Sequence, residues 1–150
     1  MQSLLQRLIL NCGAEKLLID FWVRYRNQER LFVINRECPF SNTNVELPIQ
    51  VIAPAELLAA RTWITNWERM LPCMIACRSF VTDALLKTII HFVSQPTPLS
   101  RIERELSLND PALTRAAVFA LLHRGQLQAP KLATEPLSYL TLFEPCGEHR

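Results

Sequence analysis

The chain has 150 residues, of which 49% are hydrophobic and 20% are charged, and its formal net charge at pH 7 is +2. This composition supplies enough apolar side chains for a buried core and excludes an intrinsically disordered chain. The small net charge excludes a polybasic coat for nucleic acid, so any contact with DNA has to come from local patches of cations.

Hydropathy and cysteine usage both indicate a cytoplasmic protein that does not bind membranes. The apolar runs are too short for a membrane span, and the first residues lack the pattern of a secretory signal. The five cysteines are odd in number and have no secreted-framework spacing. Cys73 and Cys77 are four residues apart, but a structural zinc site needs a second ligand pair. We therefore expect reduced thiols and neither a metal nor a cofactor.

Residues 1–78 predict a small α/β domain. The stretch SLLQRLIL predicts a short helix, and the alternation from Lys16 to Arg26 predicts a strand. A turn at Asn27 and Gln28 is expected next, followed by RLFVIN as the antiparallel partner strand. The segment ECPFSNTNVE is rich in turn formers and predicts a loop, and LPIQVI predicts another short strand.

A helix is predicted after Pro54, along AELLAARTWITNWERML, and it is expected to end at Pro72 with a linker near residues 72–81. Trp63 and Trp67 are four residues apart on this helix. We expect one of them in the core and the other, Trp63, to contact a partner, since large aromatic side chains are frequent at interfaces. The apolar stripe of the helix consists of Leu57, Ala60, Ile64, Trp67 and Leu71.

Residues 79–150 predict three short helices followed by two extended segments, which is the order of a winged helix. Thr82 is the expected N-cap of the first helix. Thr97-Pro98 is expected to open the second helix, in which Ser100 and Glu103 have the spacing of a capping box.

The third helix of this domain is expected to begin at Asp110-Pro111 and to stop at Gly125, which can adopt the left-handed C-terminal turn. The segments QLQA and SYLTLF are then expected to pair as a small wing. The two halves together predict an α+β chain.

The outer face of the third helix is expected to bind a partner protein. A helix that reads the major groove normally presents Arg, Lys, Asn or Gln to base edges. Here the face opposite the expected core carries an apolar stripe, which favours protein docking. Contact with DNA and burial within this same chain are the alternatives. The stripe consists of Val118, Phe119 and Leu122, with Thr114 and Arg115 beside it.

Five cations of the same domain are candidates for contact with a DNA backbone, since winged helices bring the second helix, the third helix and the wing to one side. Acidic residues are interleaved with them, so the net field is small and unaided affinity for DNA should be weak. Solvated surface charges are the alternative interpretation. The five are Arg101, Arg104, Arg115, Arg124 and Lys131.

Three stretches resemble the TnsA-type endonuclease subunit of heteromeric transposases. DFWVRYRNQERLFVINRE resembles the centre of that family, while IQVIAPAELLAARTWITNWERML and AVFALLHRGQLQAPKLATEPLS are similar to its later parts, over about residues 16–143 in all. The resemblance implies a restriction-endonuclease-like core, in which a strand with a catalytic Asp is followed by a turn and by a strand that ends in Glu or Gln, one residue and Lys. It also implies a helix with an Asn-Trp-like element that leads into a winged-helix domain.

The active site of that family does not carry over to this sequence. Asp20 matches the metal-binding Asp, but the Glu/Gln position falls on Ile34 and the Lys position on Arg36. Isoleucine offers no oxygen to Mg²⁺, and arginine keeps the charge but differs from lysine in shape and cannot be deprotonated. The alternative for Asp20 is a solvated strand residue or one paired with Arg24.

The resemblance implies a non-catalytic subunit of a DNA transposition complex that docks to the strand-transfer transposase, the AAA+ regulator or both, with contact to transposon-end DNA as an option. A stand-alone winged-helix DNA-binding transcriptional regulator is the alternative. An active Mg²⁺ nuclease would need ligands at unexpected positions such as Glu29 or Glu37.

Overall fold

The computed structural model describes residues 8–12, 15–25, 28–34, 47–107 and 110–147. The chain forms two compact units, an N-terminal unit of Met1–Ala59 and a C-terminal unit of Ala60–Arg150. Helices and small sheets occur together, which confirms the α+β class. The division falls between Ala59 and Ala60, whereas the sequence placed it between residues 78 and 79.

The described residues of the N-terminal unit form short strands and one short helix. Strands β1 and β2 form an antiparallel hairpin, β3 and β4 form a second one, and β5 pairs in parallel with β4. Ile19, Leu31 and Val33 are its buried apolar side chains among the described residues. The elements are β1 (Leu8–Cys12), β2 (Glu15–Ile19), β3 (Phe21–Tyr25), β4 (Gln28–Ile34), β5 (Ile49–Ile52) and helix α1 (Pro54–Ala59).

Two sequence predictions for this unit are corrected. Residues 8–10 of the predicted SLLQRLIL helix lie in β1 and pair with β2. The strand predicted from Lys16 onward is divided by a bend at Asp20 into β2 and β3, which belong to different sheets. At the bend, the Asp20 carboxylate accepts the backbone N–H of Ile34 at the end of β4, 14 positions away. The predicted loop over residues 37–46 lies outside the described residues.

In the C-terminal unit, residues 60–107 and 110–147 form four α-helices and a three-stranded antiparallel sheet of order β6-β8-β7. The predicted pairing of QLQA with SYLTLF is corrected: Leu127 and Gln128 pair with Pro145 and Glu144, just after that segment. Leu142 and Phe143, at the end of SYLTLF, pair with Pro98 and Thr97 instead. Among the described residues, none of the helices has the length and apolar character to cross a membrane. The elements are α2 (Arg61–Ala76), α3 (Asp83–Phe92), β6 (Thr97–Pro98), α4 (Leu99–Leu106), α5 (Pro111–His123), β7 (Leu127–Gln128), a 3₁₀ turn (Pro130–Ala133) and β8 (Leu142–Pro145).

Two predicted helix starts and one predicted helix stop are confirmed. Thr82 Oγ1 accepts the Leu85 N–H at 3.3 Å at the start of α3, and Asp110 Oδ1 accepts the Ala112 N–H at 2.9 Å at the start of α5. Gly125 has a φ of 69°, the left-handed conformation expected after α5. These features depend on residues close together in sequence.

The prediction for the start of the second helix is wrong. Thr97 and Pro98 form strand β6, which pairs with β8, and the helix α4 begins only at Leu99. No side-chain hydrogen bond caps α4, so the predicted capping box of Ser100 and Glu103 is absent. The physical reason is that the Glu103 carboxylate binds the guanidinium of Arg115 instead.

The helix predicted after Pro54 is divided into α1 and α2, and α2 continues through Pro72 to Ala76. A proline inside a helix costs one backbone hydrogen bond. Pro72 is exposed, while the residues just after it, Cys73 and Met74, pack against the core. We infer that this packing offsets the lost bond. The predicted linker near residues 72–81 is therefore helical over its first part.

Candidate functional site

The positions equivalent to the nuclease site lie at the bend between β2 and β3 and at the end of β4. The partly buried Asp20 accepts the Ile34 backbone N–H on its Oδ2 at 2.8 Å, and its own N–H donates to the Phe32 carbonyl at 3.0 Å. The structure thus brings Asp20 and Ile34 together, while Arg36 lies outside the described residues. The Asp20 carboxylate stabilises the backbone of β4, a structural role.

The alternative pairing of Asp20 with Arg24 is wrong. Arg24 lies opposite Glu29 across the β3–β4 hairpin, and its guanidinium forms an ion pair with that carboxylate through both Nε and Nη2. Opposite charges on facing residues stabilise an antiparallel pair modestly. Within the part of the chain that the structure describes, no three His, Cys, Asp or Glu side chains gather in a way that would hold a metal ion.

The outer face of α5 is not a free surface, which corrects the prediction for Val118 and Phe119. Their side chains are 0% and 1% exposed, and Leu122 is half-buried. The Phe119 ring packs against Phe143 of β8, with ring centroids 6.4 Å apart. Because α4 also packs against α5, the stripe expected to bind a partner is part of the core.

A second side of α5 is covered by α2, which runs antiparallel to it. The Cys73 Sγ lies 3.7 Å from the carbonyl oxygen of Ala112 at the start of α5, and the Trp67 ring lies 5.8 Å from the His123 ring at its end. Burial beside Cys77 raises the pKa of the Cys73 thiol, which favours its protonated form. With α3 and β7 also packed against it, α5 is the central helix of the C-terminal unit.

Arg115, the central cation of the predicted DNA-contacting set, is held inside the unit. Its Nε donates to Glu103 Oε1 at 2.6 Å and its Nη2 donates to Glu103 Oε2 at 3.2 Å. The guanidinium also lies 5.4 Å from the Tyr139 ring centroid. Hydrogen bonding to the Glu103 carboxylate raises the pKa of Arg115 above its ordinary value. Arg115 therefore joins α5 to α4 and to the turn before β8.

The other four predicted DNA-contacting cations are exposed, and two of them have carboxylate partners. Arg104 pairs with Glu105 at 2.9 Å, and Lys131 pairs with Glu135 at 3.1 Å. The guanidinium of Arg101 lies over the ring of Phe92, and Arg124 follows the end of α5. Neighbouring acids weaken the attraction of a cation for phosphate. Arg104 and Lys131 are therefore partly neutralised by their acidic neighbours.

Asn66 makes a buried polar clamp that the sequence analysis missed. Its side chain is 1% exposed, and its amide nitrogen donates to the carbonyls of Leu132 at 2.8 Å and Glu135 at 2.9 Å. Its side-chain oxygen accepts the Leu137 N–H at 2.7 Å. Arg69 Nη1 adds a bond of 3.0 Å to the Leu137 carbonyl. The only sequence signal was an amide side chain on the otherwise apolar inner face of a helix.

The outward face of α2 carries an apolar stripe that consists of Ile64, Leu71 and Ile75, here called the α2 stripe. These residues are seven and four positions apart, so they lie on one side of the helix. Their side chains are 37%, 42% and 71% exposed, so Ile64 and Leu71 of the stripe recognised in the sequence lie at the surface. The inner face carries Met70 and Asn66 instead.

Trp63 is in the first turn of α2, on the side of Asn66 and Met70, and is 38% exposed. Its ring meets that of Trp67 edge to face, with centroids 5.5 Å apart, while Trp67 packs against the core. The two tryptophans thus occupy different environments, as the sequence predicted. Trp63 offers an aromatic surface that its neighbour fixes in place.

Comparison of the chain with protein-family models, with curated proteins and with solved structures finds no match.

Proposed function

We propose that this protein is a non-catalytic, TnsA-like subunit of a DNA transposition complex that docks to a protein partner through the outward face of α2. The partner is the strand-transfer transposase or the AAA+ regulator of such a complex. In this proposal the N-terminal unit is a shortened restriction-endonuclease-like domain and the C-terminal unit is a winged helix preceded by α2.

The order of the elements supports the proposed architecture. Asp20 precedes a hairpin whose second strand ends at Ile34, and a parallel strand and a helix with Asn66 and Trp67 follow. The C-terminal unit then has the order α3, β6, α4, α5, β7 and β8, with a sheet of order β6-β8-β7. This is the helix and strand order of a winged helix.

The environment of Asp20 supports a subunit without nuclease activity. Its carboxylate is engaged by the backbone N–H of Ile34, and the Ile34 side chain has no oxygen for a metal ion. If the protein cleaves transposon-end DNA with Mg²⁺ or Mn²⁺ in the presence of its transposase, and Asp20→Ala abolishes that cleavage, this part of the proposal is overturned.

The position of α5 is the observation that carries the choice of docking over groove reading. A recognition helix needs one open face that reaches base edges. Here α2, α3, α4 and the small sheet pack around α5, which favours docking over groove reading by a stand-alone regulator. The α2 stripe offers apolar area for a partner, with Trp63 close to it on the same helix.

The test is co-purification with the cognate transposase and with the AAA+ regulator, each tested separately. We expect the wild-type chain to bind one of them, and Ile75→Asp and Leu71→Asp to weaken that binding at least about ten-fold, because a charge in a desolvated apolar contact is costly. Both variants should keep the wild-type unfolding temperature within a few degrees, since the replaced side chains are exposed.

The matched control is Ile90→Asp. Ile90 is 36% exposed, close to the value for Leu71, but it lies on α3. It should leave partner binding unchanged. Equal losses from Ile90→Asp and Leu71→Asp, or a wild-type chain that binds neither protein, would contradict docking through α2.

A further inference from the structure

A groove on α2 is lined mostly by polar and positively charged residues. It encloses about 240 Å³ and lies beside the segment that Asn66 clamps. Its lining residues are three, four and eight positions apart on α2, so they share one side of the helix. They are Arg61, Thr62, Thr65, Asn66 and Arg69, with Pro136 from the clamped segment.

The charge of this groove is positive. Two arginines and two threonines are among its lining residues, and no acidic residue is. Glu68 lies on the same side of α2 as Arg61 and Thr65, seven and three positions after them, but it is not among the lining residues of the groove. The Glu135 side chain, which lies nearby in sequence to Pro136, is paired with Lys131 at 3.1 Å. The arginines of the groove thus differ in their surroundings from Arg104, Arg115 and Lys131, each of which forms an ion pair with an acidic residue.

The two arginines are suited to hold an anion. Arg69 uses Nη1 to bind the Leu137 carbonyl at 3.0 Å, which fixes the guanidinium and leaves its other N–H groups available. Arg61 is exposed and forms no ion pair with any residue that the structure describes. A guanidinium fixed in place binds phosphate oxygens in a defined, often bidentate geometry, and a threonine hydroxyl can donate to the same oxygens.

The length of the groove favours a polymer over a single ion. Arg61 and Arg69 are eight residues apart, which corresponds to about 12 Å along the axis of a helix. Along one DNA strand a phosphate charge recurs every 3.4 Å or so of axis. We propose that the Arg61–Arg69 groove binds phosphate groups of a nucleic-acid backbone. The residues of the α2 stripe do not line the groove, so this inference stands independently of the docking proposed above.

The test is fluorescence anisotropy of a labelled DNA duplex with the full chain at several salt concentrations. We expect affinity to fall about ten-fold between about 50 and 200 mM salt, as for two phosphate contacts. Arg61→Ala should weaken binding several-fold and reduce the slope of log K against log salt by about 1. Its side chain makes no hydrogen bond within the described residues, so the fold should not change.

The control for net charge is Arg78→Ala, which removes one cation from the turn just after α2, outside the groove. It should leave both affinity and slope unchanged. Thr65→Val keeps the charge and the shape, and it should weaken binding about three-fold through the loss of one hydrogen bond.

Three results would overturn the inference. The first is an equal effect of Arg61→Ala and Arg78→Ala, which would leave only net charge. The second is a lack of duplex binding at low salt. The third is a shift of the Thr62 and Thr65 amide resonances on addition of inorganic phosphate without any binding of the duplex, which would assign the groove to free phosphate.

Discussion

Two helices of the C-terminal unit, α2 and α5, are both rich in apolar residues and lie side by side. They differ in burial, because α5 is the central helix of the unit and α2 is a peripheral one. The elements α2, α3, α4 and β7 pack against α5, and its buried residues include Thr114 as well as Val118 and Phe119. On α2, an asparagine is buried while Ile64, Leu71 and Ile75 are exposed. The apolar content of a helix therefore does not tell whether it is central or peripheral; the elements that pack against it decide this.

The largest effect that would test this comparison is expected from Phe119→Ala. Its side chain is 1% exposed and packs against Phe143, so truncation should leave a cavity. We expect a loss of about 3–5 kcal/mol in the free energy of unfolding. Urea denaturation of the full chain, followed by circular dichroism, measures it.

Ile75→Ala on α2 is the matched control. Because Ile75 is largely exposed, we expect a change of less than about 0.5 kcal/mol in the free energy of unfolding. Equal losses from the two truncations would show that α5 and α2 are buried alike, and the contrast between them would fail.

A smaller effect is expected from Asn66→Ala, which removes the clamp that holds residues 132–137 against α2. The change leaves the Leu137 N–H and two carbonyls without the partner that they have now. We expect a loss of about 2–3 kcal/mol, since an unsatisfied buried polar group costs its full desolvation penalty. Hydrogen exchange at the Leu137 amide should become faster.

Asn66→Asp separates the two halves of the clamp. An ionised carboxylate still accepts the Leu137 N–H but cannot donate to the carbonyls of Leu132 and Glu135, so it should not restore stability. Thr65→Ala, one position away on the groove side, should change stability by less than about 0.5 kcal/mol. Full stability in Asn66→Asp would mean that the two donated bonds contribute little.

The smallest effect concerns the ion pair of Arg115 and Glu103, which are 31% and 10% exposed at their side chains. A double-mutant cycle with Arg115→Gln and Glu103→Gln should give a coupling energy of about 1–2 kcal/mol, because the pair is only partly screened by water. The same cycle on the exposed Arg104 and Glu105 should give less than about 0.5 kcal/mol. Comparable couplings would indicate that Arg115 is as solvated as Arg104.

The features that the sequence predicted correctly depend on residues close together in the chain. The Thr82 side chain accepts the backbone N–H of the residue three positions later, and the Asp110 side chain accepts the N–H of the residue two positions later. Gly125 adopts a backbone conformation that other residues rarely reach. The hairpin of β3 and β4 follows for the same reason, since its strands are adjacent in sequence and their alternation is visible.

The features that the sequence did not predict depend on partners from distant parts of the chain. Thr97 and Pro98 became a strand because β8 lies beside them, although their local signal favours a helix start. Val118 and Phe119 are buried because α4, β8 and other elements surround α5, and no pattern within α5 indicates how many neighbours it has. The helix α2 continued past Pro72 because the residues beyond it pack against the core.

The candidate site shows the same limit. The residues that could contact DNA were chosen by their positive charge and their position in the sequence. Whether such a cation is free to bind phosphate depends on the acidic residue nearest to it in space. Glu103, which precedes Arg115 by 12 residues and lies on another helix, is that acid for Arg115. The groove at Arg61 and Arg69 forms only where a later segment closes against α2, so spacing along α2 alone did not predict it.

The clamp at Asn66 also has a consequence for how the protein folds as it is made. Its hydrogen bonds join residues that are 66, 69 and 71 positions apart. Contacts of such large separation close late, after local helices have formed. On the ribosome, α2 therefore emerges well before the segment that it clamps. The Asn66 side chain remains without its full set of hydrogen-bond partners until Leu137 has left the exit tunnel, a period in which chaperones can bind this helix.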